Sequence, residues 1–204
     1  MIRTGVIVDF TAINRYQVPM SEVAAELTRT DLHDLTVRSV EGFVALLEGC
    51  TDEQVIHLPH DPHAYDAYAA RFRPEETHLG WSIAHNIVHA TASAEEYAFN
   101  AAELARGVPY HGRSRYETPW QSVTTATHCL SRLQESLRIR LATLEAWPDN
   151  PDLENGVTPW KESGWVNAVG LFAWGLAHDQ SHCRQIRGTI KQLEEAAGRV
   201  PLVE

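Results

Sequence analysis

Apolar residues recur every three to five positions along four stretches of the chain, which is the spacing of amphipathic helices rather than of strands. In the first stretch, from about 30 to 48, Leu32, Leu35, Val40, Phe43 and Leu47 form the stripe, and Gly49 stands where a left-handed residue ends a helix. The pattern leaves open whether Ser21 to Leu27 belong to this helix or make a separate turn. The second stretch ends at Arg106, with Gly107 and Pro109 just beyond. Its start falls between Pro74, a favourable first helical residue, and Ser82, a favourable N-cap. Thr118-Pro119-Trp120-Gln121 combines a capping box with proline at the first helical position and predicts the start of the third, whose stripe is Val123, Leu130, Leu133, Leu137, Leu141 and Leu144. The fourth is expected from Ser163 or Trp165, carries Val169, Phe172, Leu176, Ile186, Ile190 and Leu193, and stops at Gly198 ahead of Pro201. No strand-like alternation competes with these four.

The stripes predict an all-α fold, an antiparallel four-helix bundle over residues 29–198, with an N-terminal arm (1–28) and a C-terminal tail (199–204). The links from Cys50 to Arg73, Gly107 to Thr118 and Pro148 to Lys161 exceed hairpin length, so at least one crossover is expected, and such links can shape a pocket mouth. Thr51-Asp52-Glu53-Gln54 predicts a short capped turn within the first of them. Val6 to Phe10 offers apolar surface to the bundle or to a second subunit, and bundles of this size often pair, so a homodimer is expected.

Composition narrows the class. A chain of 204 residues buries roughly 70% of its unfolded surface and needs no disulfide staples. Asp and Glu number 27 against 17 Lys and Arg, a net charge of −10 without a basic run, which argues against nucleic acid and anionic membranes as partners. Val6-Ile7-Val8 is closed by Asp9, too short for a secretory core or a membrane span. Cys50, Cys129 and Cys183 are odd in number and far apart, which fits thiols in a reducing compartment, so a cytoplasmic protein is expected.

The chemistry is concentrated in eleven histidines. His33, His57, His60, His63, His78 and His111 fall near helix starts or in links and read as exposed. His85, His89, His128, His178 and His182 fall inside predicted helices. His178 and His182 form an HxxxH, whose spacing brings two imidazoles to one helix face within reach of a common ion. They lie beside the apolar row Phe172, Leu176, Ile186 and Ile190, so both should point inward, where a buried ring needs a partner. His85 and His89 form a second pair at the same spacing. Independent hydrogen-bonded histidines and a shared metal are nearly balanced alternatives for these four, whereas His128 lacks an i+4 partner and reads as bland. Cys183 is about 100° from His182 around the helix and reads as a packed thiol. A carboxylate-bridged di-iron site is disfavoured because only Glu75-Glu76-Thr77-His78 offers Glu-x-x-His. No GxSxG, HExxH, phosphate loop or dinucleotide fingerprint is present.

Trp81-Ser82 followed by His89, and His178-Asp179-x-x-His182-x-x-Gln185-Ile186 on the fourth helix, resemble the DinB/YfiT-like superfamily of small four-helix-bundle metalloproteins. The resemblance covers roughly Thr30 to Leu193. It implies a three-histidine site of His89, His178 and His182, with solvent in the remaining positions and zinc or nickel as the usual metal. The family often has an acidic residue where this chain has His85, which leaves His85 as a fourth ligand, a catalytic base beside the metal, or neither. Relatives include transferases and isomerases that use bacillithiol or mycothiol. The implied activity is thiol S-transfer on a small-molecule substrate, with a metal-dependent hydrolase or a non-catalytic metal- or ligand-binding bundle as alternatives.

Overall fold

A computed structural model describes residues 6–114 and 117–198, so the expected C-terminal tail lies outside the described residues. Its long helices start where a side chain can satisfy the free N–H groups of the first turn. Two short helices, α1 (Thr11–Asn14) and α2 (Met20–Ala24), precede the first long one, so Ser21 belongs to a separate turn. α3 (Arg29–Leu47) opens on Thr28, whose hydroxyl accepts from the Asp31 N–H at 3.2 Å while the Asp31 carboxylate accepts from the Thr28 N–H at 2.9 Å. It ends before Gly49, which takes a φ of 79°. α4 (Asp52–Ile56) has the expected Thr51–Gln54 capping box, and α5 (Ala67–Phe72) follows. α6 (Ile83–Ala105) starts at Ser82, whose hydroxyl accepts from the His85 N–H at 3.1 Å; Pro74 opens only a 3-10 turn.

Two expected starts are displaced. The third long helix, α7 (Ala126–Glu145), begins after Thr125 and not at Thr118. Residues Trp120–Ser122 form a 3-10 turn instead, because Gln121 donates to the Glu76 carboxylate at 2.9 Å rather than closing a capping box. The tertiary partner outcompetes the local one. The fourth, α8 (Ala168–Ala196), begins after Asn167, whose side-chain oxygen accepts from the Gly170 N–H at 3.1 Å. Ahead of it, β1 (Gly156–Val157) and β2 (Val166–Asn167) pair antiparallel, with Gly156 opposite Asn167. Two residues per strand are too few to show alternation in a sequence.

α3, α7, α6 and α8 pack as a ring in that order, so the links from α3 to α6 and from α7 to α8 both cross the bundle. α6 runs antiparallel to α8, with Asn86 meeting His182 and Tyr97 meeting Gly175. α3 is antiparallel to α7, Arg29 reaching the Trp147 carbonyl at one end and Asp52 the Ala126 N–H at the other. α6 and α7 run parallel, because the link between them returns along α6 before α7 starts. The described part of the N-terminal arm, from Val6 on, is folded onto its own bundle, with Phe10, Ile13, Met20, Ala24 and Leu27 buried alongside α8. Among the described residues no helix is long and apolar enough to cross a membrane.

The core is two apolar clusters. One gathers Leu32 and Leu35 of α3, Tyr97 to Ala105 of α6, and Ala168 to Ala177 of α8. The other gathers Val40, Phe43 and Leu47, Ile83 to Ala90, Leu133, and Cys183 with Ile186. Residues 178–182 of α8 lie between them, in a polar band. On the side facing α3 and α7, Asp179 accepts from Arg140 at 2.6 Å and from Ser39 at 2.7 Å, tying three helices together. Asp179 and Arg140 are 1% and 2% exposed. Asp179→Ala would leave a buried guanidinium without its counter-charge and should cost roughly 3–5 kcal/mol in urea unfolding. The double variant Asp179→Leu with Arg140→Met should recover most of that loss.

Candidate metal centre

Ser82 sets the start of α6 so that its first two turns present Asn86 and His89 to the middle of α8. Across that contact the Nε2 of His178 lies 3.3 Å from the Nε2 of His89 and 3.2 Å from that of His182. Their ligand atoms all lie within 4.8 Å of one another, a grouping that could hold a metal ion. The structure therefore brings together the three histidines singled out from the sequence. His85 is outside this group.

Hydrogen bonds at the far side of the rings decide which nitrogens carry protons. Asn86 donates through Nδ2 to the Trp81 carbonyl at 3.1 Å and the Ser82 carbonyl at 3.0 Å, so its Oδ1 is the atom that faces His182 Nδ1 at 2.9 Å. That oxygen can only accept, so Nδ1 of His182 is protonated and its Nε2 bears a lone pair. Nδ1 of His89 lies 2.8 Å from Glu117 Oε1. Burial pushes the Glu117 carboxyl up, but the hydrogen bond from His89, with the Arg113 guanidinium nearby, holds it below its ordinary range. An ionised carboxylate accepts, so Nδ1 of His89 carries a proton, and the neutral form of the ring turns a lone pair inward. Nδ1 of His178 is buried and has no partner among the described residues. One imidazole proton at most can sit among the three Nε2 atoms, and it cannot serve both lone pairs. A cation satisfies all three, so the donor set fits a metal with imidazole ligands.

Burial also keeps the two α8 rings neutral. His182 is brought down to about 3, by burial first and the nearby His89 second. His178 lies well below the usual imidazole range, through burial and then through His182 and His89. Both are thus unprotonated well below the ~6.5 of a free imidazole.

His85 is stacked between two indoles, Trp81 at 4.2 Å and 20° and Trp120 at 4.9 Å and 9°. Its own value is brought down to about 4 by burial and by His89. Trp120 is held by Glu76, which accepts from its Nε1 at 3.5 Å and pairs with Arg73 at 3.0 Å. A cavity of about 400 Å3 opens beside His89, walled by Trp81, His85 and Trp120 and reached by Glu117, Arg73 and Arg113. A second cavity, about 740 Å3, is lined by none of His85, His89, His178 and His182 and lies between α6, α7 and the segment that carries His111 and Arg113.

The remaining histidines fall where expected. His33, His57, His60, His63, His78, His111 and His128 are all exposed. Cys183 is a buried thiol pushed up to about 12 by burial, a packed group rather than a ligand. Sequence reasoning missed Asn86, Glu117 and Trp120. Asn86 stood in the run between the two α6 histidines and had a detectable i+4 relation to Ser82. Nothing in the spacing pointed to Glu117, 28 residues from its partner.

The profile of the DinB superfamily matches residues 35–186. The chain belongs to the DinB superfamily. No curated protein and no solved structure matches it significantly. The DinB match runs from α3 into α8 and takes in His89, His178 and His182, while α1 and α2 lie outside it.

The depressed imidazoles make the stability of this DinB protein depend on pH. Folded values of about 4 for His85 and about 3 for His182 lie below the unfolded ~6.5, so between these limits the unfolded chain binds protons that the native state refuses. Stability of the metal-free protein should therefore fall as pH drops below ~6.5, by about 1.4 kcal/mol per pH unit for each histidine. Urea unfolding at pH 7, 5.5 and 4.5 measures it, and His85→Phe should remove about one proton from the slope.

Proposed function

We propose that the protein is a divalent-metal-dependent enzyme in which His89, His178 and His182 hold zinc or nickel and a small-molecule thiol of the bacillithiol or mycothiol type is transferred to an electrophile. What carries the reading is the convergence of the three Nε2 atoms beside a cavity that reaches His89. Three protein ligands with an open approach are the arrangement of catalytic rather than structural zinc. The metal supplies Lewis acidity, which lowers the pKa of a thiol or water brought to it.

The chain's own residues supply binding and proton handling. Trp81, His85 and Trp120 form a flat aromatic wall that shields an entering group from water. His85, kept neutral inside that wall, takes the catalytic role of accepting a hydrogen bond from an entering S–H. Substrate choice belongs to the links that wall the cavity. A cytoplasmic setting goes with this reading and agrees with three free cysteines. So does a homodimer, which would use apolar side chains such as Phe99, about half exposed, now that the arm packs on its own bundle. A light-scattering mass of 22.9 kDa at micromolar concentration would remove the dimer.

Purified protein should carry about one equivalent of zinc or nickel, the count expected of a single site with three imidazole ligands. His178→Ala and His182→Ala should each abolish stoichiometric binding. His85→Ala should retain the metal and lose turnover by about 100-fold or more. Metal-loaded protein incubated with bacillithiol or mycothiol and a panel of electrophiles tests the reaction. Thiol-independent turnover of esters or amides would make the protein a hydrolase instead, and silence in both assays with metal bound would make it a binding module. A protein that takes up neither zinc nor nickel would remove the metal reading.

A further inference from the structure

The link from α6 to α7 leaves the bundle at Gly107 and runs back along α6. Arg113 pairs with Glu96, donates to the Ser93 hydroxyl at 3.4 Å and lies 5.5 Å over the Tyr97 ring. The Ser114 N–H also bonds the Glu96 carboxylate. Nearer the N-terminus of α6, Glu117 meets His89 Nδ1 at 2.8 Å, and Trp120 then stacks on His85. The link is thus fastened to the helix at Arg113 and again at Glu117.

The three histidines are not supported alike. His182 is backed by the neutral amide of Asn86, from α6 itself, and His178 by nothing among the described residues. His89 is backed by a carboxylate, and that carboxylate comes from outside the four helices. A carboxylate behind a ligating imidazole fixes its tautomer, orients its ring and raises its donor strength.

We propose that Glu117 is a positioning residue for the metal centre, holding His89 with Nε2 toward His178 and His182, so that docking of the α6–α7 link and metal binding favour each other. This rests on the metal-site reading above. The link also walls the cavity through Arg113, Glu117 and Trp120, so the same carboxylate ties the ligand His89 to the cavity wall.

The test is titration of the apoprotein with Co2+, followed by its visible absorption, and with Zn2+ by chelator competition, on wild type, Glu117→Ala, Glu117→Gln and Glu117→Asp. Glu103→Gln removes an exposed carboxylate paired with His111 and controls for general charge. Glu117→Ala should weaken both metals by about 10- to 100-fold, with Gln less damaging than Ala and Asp restoring part of the loss. Far-UV circular dichroism and urea midpoints check that the variants are folded. Glu117→Asn serves if the alanine variant is not. Affinity within twofold of wild type in folded Glu117→Ala, or an equal loss in Glu103→Gln, would overturn this role while leaving the metal reading intact. A wild type that binds neither ion overturns both.

Discussion

His89 can face His178 and His182 only because α6 and α8 approach closely, along faces built largely of alanine and glycine. A Cβ on Gly175 would stand 3.2 Å from the Cβ of Tyr97 and 3.4 Å from the Cα of Ala94, tighter than side chains ordinarily pack. Ala90, Ala94, Ala98 and Ala101 on α6 and Ala173 and Ala177 on α8 are all buried. Large residues along this seam would push the helices apart and separate the imidazole nitrogens, which now all lie within 4.8 Å of one another. The site is therefore a consequence of helix spacing before it is a consequence of ligand identity.

A seam that close has to bury polar groups, and α8 distributes them around its circumference. Residues 178 and 182 turn to α6 and form the histidine cluster, while Asp179 turns to α3 and α7 and forms the ion pair with Arg140. Apolar clusters on either side exclude water from this band. The low dielectric makes each unpaired polar atom costly, which specifies one rotational setting of α8. Rotating the helix by one residue would expose the ion pair to the wrong neighbours and break the cluster. The same burial that stabilises the setting holds the histidines neutral, ready to act as ligands.

The proton positions that make the cluster suitable for a cation are decided one layer out. Backbone carbonyls of Trp81 and Ser82 orient Asn86, Asn86 orients His182, and Glu117 orients His89. Each step is a choice between donor and acceptor with one permitted answer. Around this layer the aromatic wall of Trp81, His85 and Trp120 supplies shape and dryness, and its outer member is carried by the link and not by a helix.

The sequence by itself determined which segments are helical, which faces are apolar, and that His178 pairs with His182 and His85 with His89 on helix faces, because helical periodicity and i, i+4 spacing are local properties; the grouping of His89 with His178 and His182 was implied by the family resemblance and not by spacing. It also contained the caps at Ser82 and Thr51 and the terminating glycines at 49, 107 and 198, since these act within a few residues. The start of α7 was not legible: the capping signal at Thr118 is real locally but loses Gln121 to Glu76, a partner 45 residues away. The arm's burial on α8, the two crossing links and the parallel run of α6 and α7 were likewise settled by packing. So were the placing of His85 between two indoles and outside the ligand group, and the carboxylate behind His89. A local pattern can state what a helix presents, but which distant side chain meets it depends on how the links return, and only the tertiary structure decides that.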